Sequence, residues 1–210
     1  MTFKDRYVRT FLSDFESDLQ KELLTYGIIK KVEADCIVLD IREPIKFLPI
    51  IMDGIVRVTR RDGKGNGLLL YYLTPFETCG LSFLNASQKK PNTVRLISKT
   101  KLIYLNIPIN FAQDWILKSK NWRQFISKTM QEHNNILIEL INERTFSKLE
   151  NVLKKYLKYR QTKFQSNNII ANHKYIAKDL FVSRESVSRT LKSLENKGFL
   201  KTGRNKITLL

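Results

Sequence analysis

The sequence has few cysteines and histidines, and this scarcity argues against several kinds of site. Its 210 residues include two cysteines, Cys36 and Cys79, too few for a disulfide framework or an iron–sulfur cluster held by four thiolates. The two histidines, His133 and His173, lie outside the stretch that is rich in strand patterns. A metalloenzyme built on strands needs several histidines and a carboxylate that converge on the metal. We therefore predict a protein that is not an enzyme and that has no metal site and no cofactor.

Long apolar runs are missing as well. The longest extends only from Leu68 to Leu73, and the opening MTFKDRYVRTFLSDF lacks the unbroken apolar core of a secretion signal. These absences predict a cytoplasmic protein with reduced thiols and no membrane partner.

Acidic residues become scarce toward the C-terminus. Residues 146–210 contain 15 Lys or Arg against 4 Asp or Glu, a net charge of +11, whereas residues 1–145 contain 22 against 16, a net charge of +6. A basic excess concentrated in one segment favours an acidic polymer as the partner and predicts salt-sensitive binding.

Two short helices separated by a tight turn are predicted between Asn172 and Asn196. Apolar residues recur at helical spacing in both: Ile176, Ala177 and Leu180, then Val187, Leu191 and Leu194. Helices this short need a partner surface, and the arrangement is typical of a helix-turn-helix that binds DNA.

The second helix carries side chains suited to reading bases. Ser183 is placed to cap it, so the helix should begin at about Arg184. Arginine pairs with guanine, glutamate accepts from cytosine, and serine can serve either base. An ordinary charged helix face with a capping serine would give the same local pattern. The candidate base readers at the start of the outer face are Arg184, Glu185, Ser188 and Arg189.

The residues after this helix predict a basic hairpin and thereby favour the DNA interpretation. Gly198 can end the helix, and Phe199 to Leu209 can form two strands around a turn. Helix, turn, helix and hairpin make a winged arrangement. Candidate phosphate contacts lie at the cap and on the basic side chains around it: His173, Lys174, Ser183, Lys201, Arg204 and Lys206.

The segment from Ser183 to Arg189, SRESVSR, resembles the signature Ser-Arg-Glu-Thr/Ser-Val-x-Arg of the cyclic-AMP receptor protein and FNR (CRP/FNR) superfamily of bacterial transcription regulators. In the cyclic-AMP branch the matching Arg, Glu and Arg read the operator, and in the FNR branch Glu, Ser and Arg do. Because this chain carries both sets, a TGTGA-like and a TTGAT-like half-site both stay open. The resemblance also implies RNA polymerase as a partner if the protein is an activator.

One residue departs from the family pattern. Phe181 stands in the turn between the two helices, where the family usually has Gly or Asn. If the backbone there has a positive φ, a bulky residue would be strained by on the order of 1 kcal/mol.

Short apolar runs broken by turn residues extend from about Ile28 to Leu105: IVLDI, FLPIIMDGIVRV, GLLLYYL, TVRLIS and KLIYLNI. They predict a small barrel or sandwich, with RRDGKGNG as a hairpin loop. This stretch resembles the family's cupin-like jelly roll of the cyclic-nucleotide-binding type, and an amphipathic helix is expected before it over residues 5–26. The predicted fold class is therefore α+β, with an N-terminal helix and jelly roll (1–109), helices that include a long dimerisation helix (110–144), and a winged helix-turn-helix (145–210).

The resemblance implies an effector pocket, for which the candidates are Gly80, Leu81, Lys90 and Thr93. In the cyclic-AMP branch a Gly-Glu pair and an Arg-Ser pair bind the nucleotide. Leu81 stands where the glutamate would be, and a lysine meets a phosphate only as a point charge. We therefore expect that the chain does not use cyclic AMP, and that it has either an unidentified small-molecule effector or none.

A long helix is predicted to end at about Arg144, with residues spaced like a coiled-coil seam: Trp122, Ile126, Thr129, His133, Ile136 and Leu140. Further apolar residues broaden this face, so a monomer could use it to pack its own core. The resemblance favours a homodimer through this helix, which would place two recognition helices about 34 Å apart on a palindrome.

His133 lies midway along the predicted seam. There it could sense pH, or ligate haem as happens in one branch of the family; more often such a histidine is a satisfied polar residue that fixes register.

The helix that follows is expected to have an apolar stripe on one side and a basic face on the opposite side. The stripe comprises Phe146, Leu149, Leu153 and Leu157, and the basic face comprises Lys154, Lys155, Lys158 and Arg160.

These patterns together predict a sequence-specific, homodimeric DNA-binding transcription regulator of the CRP/FNR type. The alternative is a nucleoid-type protein that coats DNA without sequence preference. A uniform, salt-dependent affinity with no enriched site would distinguish the alternative.

Overall fold

The computed structural model describes residues 10–61 and 67–210, with all of their side chains except those of residues 143–146. The described residues divide into two compact units. The first contains the chain up to Thr59 and then Tyr71–Ile136. The second contains Leu137–Leu210 and the described part of Arg60–Leu70.

The strands that precede the long helix form two antiparallel sheets. One sheet has the order β1-β7-β3 and the other the order β2-β6-β4-β5. The predicted fold class, a strand roll followed by helices and a winged helix-turn-helix, is confirmed. The strands are β1 (Ile28–Val32), β2 (Ile37–Leu39), β3 (Phe47–Asp53), β4 (Val56–Arg61), β5 (Gly67–Leu73), β6 (Arg95–Ser98) and β7 (Leu102–Pro108). The predicted hairpin loop RRDGKGNG lies largely outside the described residues.

Besides the short helical segment at residues 10–12, the described residues contain four helices that belong wholly or partly to the first unit. They are α1 (Ser17–Tyr26), α2 (Gly80–Ser87), α3 (Ile109–Lys118) and α4 (Lys120–Phe146). The break between α3 and α4 falls at Ser119. The pattern of the sequence did not predict α2. None of the helices within residues 10–61 and 67–210 is both long and apolar enough to cross a bilayer.

The helix expected over residues 5–26 is interrupted within the described residues, and residues 5–9 of it lie outside them. Residues 10–12 are helical, residues 13–16 form a turn, and α1 begins only at Ser17. Five large apolar residues of this segment are nevertheless all buried: Phe11, Leu12, Phe15, Leu19 and Leu23. The turn lets aromatic rings on both sides of it enter one core, because Phe11 and Phe15 both pack against Phe125 of α4.

This core covers one face of the β1-β7-β3 sheet. Alternate residues of β3, Leu48, Ile50 and Met52, belong to it, as do Trp115 and Trp122 from the helices. The period of two is what a strand with one face on a core requires. The intervening Ile51 is also buried, so β3 is covered on both faces and reads as a continuous apolar run.

The second unit contains the C-terminal elements in the predicted order. They are α5 (Leu149–Phe164), β8 (Asn168–Ile170), α6 (His173–Leu180), α7 (Arg184–Asn196), β9 (Leu200–Gly203) and β10 (Lys206–Leu209). The strands pair as β8-β10-β9, and β9 and β10 form the predicted hairpin, with Lys206 opposite Gly203. Gly198 adopts a φ of +71° just after α7, which is the conformation expected where a glycine ends a helix.

Candidate nucleic-acid interface

Helix α7 begins where the capping pattern predicts. The Ser183 hydroxyl oxygen accepts from the backbone N–H of Ser186 at 3.1 Å, and Arg184 is the first helical residue. Glu185 lies in the first turn, where a carboxylate stabilises the positive end of the helix. The local sequence alone therefore fixes the start of this helix.

The two faces of α7 differ completely in exposure. Val187, Leu191 and Leu194 are fully buried, whereas Arg184, Glu185 and Arg189 are exposed. The buried stripe holds the helix in the domain and leaves three of the four predicted base readers facing outward. Bases are read by side chains placed in this way at the N-terminal end of a recognition helix.

The fourth predicted base reader, Ser188, is in a different environment. It is partly buried, and its hydroxyl oxygen lies 2.8 Å from Nδ1 of His173, the first residue of α6. His173 was predicted as a phosphate contact and Ser188 as a base reader. The structure brings these two residues together, and nothing in their separation along the chain indicated the contact.

The start of α6 has a side-chain cap that was not predicted from the sequence. The side-chain oxygen of Asn172 accepts from the backbone N–H of Tyr175 at 2.8 Å. An Asn directly before an apolar helical pattern was the available signal. The cap holds the first turn of α6, and with it His173, in place.

Phe181, in the turn between α6 and α7, has the positive φ that would strain a bulky residue. Phe181 has a φ of 53° and a ψ of 46°, and its backbone N–H is bonded to the carbonyl oxygens of Ala177 and Lys178. Its side chain is 53% exposed. A bulky residue in the left-handed region costs on the order of 1 kcal/mol, and little burial offsets that cost here.

The hairpin is joined to the end of α7 by a carboxylate. The Glu195 side chain accepts from the backbone N–H of Thr202 at 2.7 Å and from its hydroxyl at 2.8 Å. The backbone hydrogen bond from Thr202, followed by the hydroxyl bond, lowers the pKa of Glu195 from its ordinary value. These bonds fix the hairpin relative to the recognition helix.

A cleft of about 390 Å³ lies between the hairpin turn and the starts of α6 and α7. The predicted phosphate contacts Lys201, Arg204 and Lys206 are exposed, and the last two line this cleft. Four cationic side chains around one concave surface attract a polyanion. The cations that line the cleft are Lys174, Arg184, Arg204 and Lys206.

Arg160 corrects the prediction of a basic face on α5. It was expected beside Lys158 on that face, yet it is only 5% exposed. Its guanidinium donates to the Tyr156 hydroxyl at 3.2 Å, and that hydroxyl donates to the Asp179 carboxylate at 2.8 Å. Asp179 belongs to α6 and is also buried. This chain of polar groups links α5 to the helix-turn-helix, and the charge run gave no sign of it.

The other lysines of that predicted face have ordinary surroundings. Lys155 and Lys158 are exposed. Lys154 pairs with Glu150 at 3.2 Å, as does Lys197 at 2.7 Å. The bonds from Lys197 and then Lys154 lower the pKa of the Glu150 carboxyl.

The predicted effector residues do not share one environment. Gly80 is buried at the start of α2, and a side-chain carbon added to it would lie 3.3 Å from Met130 Cγ and 3.5 Å from His133 Nδ1. Lys90 and Thr93 are exposed, and Leu81 is partly buried. The chain's own α4 side chains therefore occupy the space beside Gly80.

The residues of the predicted α4 seam differ in burial between the two halves of the helix. Trp122, Ile126, Thr129 and His133 are between 0% and 6% exposed in the single chain. The Trp122 indole N–H donates to the Ala112 carbonyl oxygen at 2.8 Å. These four side chains therefore pack within the chain's own first unit. The dimer seam stays a prediction. Ile136 and Leu140 are partly buried.

His133 accordingly lies in the interior of the first unit. Its ring stacks on Tyr71, with 4.0 Å between the ring centroids. Nearby, the Cys79 thiol accepts from the Ser82 hydroxyl at 3.2 Å, and burial raises the thiol's pKa. Among the described residues, no three His, Cys, Asp or Glu side chains are grouped closely enough to hold a metal ion.

A family model decides what the C-terminal residues are. The model of the Crp-like helix-turn-helix domain matches residues 144–210. These residues form a Crp-like helix-turn-helix domain. No match was found among curated protein sequences.

Solved structures of CRP/FNR-family regulators have a similar fold over most of this chain. A protein from Eubacterium rectale assigned to the Crp/Fnr family of transcriptional regulators is similar at a TM-score of 0.80 and 20% identity, over 95% of this chain and 93% of that chain. The c-di-GMP-responsive global regulator CLP of Xanthomonas campestris is similar at a TM-score of 0.78 and 14% identity, over 92% and 99%. A CRP/FNR-family regulator from Thermus thermophilus is similar at a TM-score of 0.75 and 18% identity, over 87% and 93%.

Proposed function

We propose that this protein is a transcription regulator, not an enzyme, that binds a specific site on double-stranded DNA. The observation that carries the proposal is the start of α7. There Arg184, Glu185 and Arg189 are exposed at the N-terminal end of a capped helix whose other face is buried. A helix held in this way can enter the major groove and present these side chains to base edges.

Binding and reading are divided between different residues in this proposal. The cations around the cleft bind phosphates, position α7 and make the affinity depend on salt. Arg184 and Arg189 pair with guanine, and Glu185 accepts from the amino group of cytosine; each good pair discriminates by about 1 to 3 kcal/mol.

We further propose that the regulator is a homodimer whose contact uses the second half of α4. Ile138 and Ile141 are 53% and 61% exposed there, unlike the buried residues of the first half. Two exposed isoleucines one turn apart form an apolar strip that a twin helix can cover. Sedimentation equilibrium of an Ile138→Glu, Ile141→Glu double variant tests this. A wild-type dimer that becomes a monomer supports the contact, and an unchanged dimer contradicts it.

The effector, if one exists, is proposed to differ from cyclic AMP. The first unit has Leu81 where the resemblance calls for a glutamate, and Met130 and His133 pack beside Gly80. Saturable micromolar binding of cyclic AMP in a calorimeter would contradict this. RNA polymerase is a further partner if the protein activates transcription.

Selection of bound sequences from a random DNA library, at two salt concentrations and without an added effector, tests the main proposal. An enriched inverted repeat, with half-site centres about 34 Å apart, is the expected result. Tight low-salt binding with no enriched sequence would favour a non-specific DNA coat or a regulator that waits for its ligand. Repeating the selection with a cell extract of small molecules separates these two outcomes, because only the regulator would then enrich a site.

A further inference from the structure

We propose that His173 is a positioning residue that determines which hydrogen-bonding group Ser188 presents to DNA. This inference rests on the proposed function, because it assumes that α7 reads bases. It adds to that function a specificity determinant outside α7 and a definite chemistry for one position of the half-site.

The contact between the two residues is short, and neighbouring groups hold both residues in place. Nδ1 of His173 and Oγ of Ser188 are 2.8 Å apart, and both residues are partly buried. His173 is held by the Asn172 cap at the start of α6, and Ser188 is held by the buried Val187 beside it in α7. The pair therefore joins the two helices of the motif at the edge of the surface that would face DNA.

A serine hydroxyl by itself is an ambiguous reader. It has one hydrogen to donate and two lone pairs that accept, and free rotation lets it serve any base. A hydrogen bond to a fixed ring nitrogen removes that freedom. If Ser188 donates to Nδ1, only its lone pairs face outward; if Nδ1 carries a hydrogen, the Ser188 hydrogen is free to be donated to a base.

The cleft favours the first arrangement once DNA is bound. His173 lines the same cleft as Lys174, Arg184, Arg204 and Lys206. A phosphate drawn there can accept from the Nε2–H of His173. The tautomer with its hydrogen on Nε2 leaves Nδ1 as an acceptor, so Ser188 donates to it. Ser188 then presents an acceptor to the major groove, where the available donors are the amino groups of adenine and cytosine.

The test is the base preference of four proteins in the same library selection: wild type, Ser188→Ala, His173→Ala and His173→Asn. We expect Ser188→Ala to lose the preference at one position of each half-site. At that position, we expect His173→Ala to weaken the preference about three- to tenfold, the effect of one hydrogen bond, and to leave the other positions unchanged. His173→Asn should restore part of the preference, because its amide oxygen can accept from Ser188.

Lys174→Ala is the matched control, because Lys174 is exposed, adjacent to His173 and lines the same cleft. It should lower affinity for all sequences alike and leave every preference intact. The contacted group is then identified with synthetic sites. Removing the amino group at that position, for example by placing purine in place of adenine, should weaken wild-type binding and leave the binding of Ser188→Ala unchanged.

Several outcomes overturn the inference. Unchanged preferences in His173→Ala, with uniformly lower affinity, would mean that His173 only contacts phosphate. A preference that depends on a base acceptor and not on an amino group would mean that Nδ1 carries the hydrogen. If wild type enriches no sequence with or without the extract of small molecules, the proposed function fails first, which is distinguishable because no variant would then be informative about His173.

Discussion

Helices α4 and α7 both carry periodic apolar residues, but they use them differently. In α7 a narrow stripe of Val187, Leu191 and Leu194 is buried, and the charged face opposite is open. In α4 the first half is buried around Trp122 within the chain's own core, and apolar side chains become exposed only toward Ile141. A narrow apolar stripe with charges on both sides can be buried in only one orientation of the helix. A helix with a broad apolar surface can be buried in several orientations. Periodicity thus shows that a face is covered and leaves open what covers it.

The largest effect that we expect from a substitution in either helix is the loss of stability in Trp122→Ala. Trp122→Ala removes a fully buried indole and its hydrogen bond to Ala112, so we expect the free energy of unfolding to fall by about 3 to 5 kcal/mol. Urea denaturation measures it. Gln124→Ala, at an exposed position in the first half of the same helix, is the control and should change the free energy of unfolding by about 0.5 kcal/mol or less. Similar losses in the two variants would contradict the burial of the Trp122 face of α4.

The corresponding change in α7 should affect DNA binding without affecting folding. Arg189→Ala is expected to weaken binding to the selected site by about 1 to 3 kcal/mol and to spare binding to random DNA. Competition titrations against both DNAs measure the difference. Lys192→Ala, exposed further along the helix, is the matched control and should affect both DNAs alike. Equal losses on both DNAs for Arg189→Ala would show that Arg189 contacts only phosphate.

The two regions also differ in what supports them: aromatic packing under α4, and a buried polar chain under the helix-turn-helix. Tyr156→Phe removes the hydroxyl that joins Arg160 to Asp179 and should lower the free energy of unfolding by about 1 to 2 kcal/mol. Lys158→Met, exposed on the same helix, should stay within about 0.5 kcal/mol of wild type. An unchanged free energy of unfolding in Tyr156→Phe would mean that apolar packing, and not the hydrogen bonds through Tyr156, holds α6 in place.

A smaller, opposite change is expected in the turn before α7. Phe181→Asn replaces a half-exposed side chain in the left-handed region by a residue that tolerates it, so the free energy of unfolding should rise by about 0.5 to 1 kcal/mol. Thermal and urea denaturation measure this. A loss of stability would show that the Phe181 ring has contacts that outweigh the strain.

The smallest effect concerns pH and the link between α7 and the hairpin. Because folding lowers the pKa of Glu195, its contribution to stability is present above the ordinary glutamate pKa of about 4.3 and is lost as the pH falls through the lower folded value. Glu195→Gln should therefore flatten the dependence of stability on pH below about 4.3. Denaturation at a series of acidic pH values measures the slope, and Thr202→Val should give part of the same change. An unaltered slope in Glu195→Gln would contradict this role.

The sequence by itself determined the features that arise within a few residues of one another. The Ser183 cap lies three residues from the amide it accepts from, Gly198 ends α7 through its own backbone freedom, and the hairpin turn at Arg204 and Asn205 joins adjacent strands. The strand runs were also predictable, because alternate residues of a strand face one core. Short-range geometry of this kind follows from the residue types and their spacing.

Only the tertiary structure decided the contacts between residues that are distant along the chain. These are the burial of Arg160 beside Tyr156, the inward position of Trp122, and the pairing of His173 with Ser188. A basic residue on a helix looks solvated until a buried carboxylate from another helix approaches it, and a serine looks like a free reader until a histidine ring nitrogen lies within hydrogen-bonding distance of its hydroxyl. Polar groups leave water only when a partner compensates their desolvation, and it is the folded chain that brings that partner close.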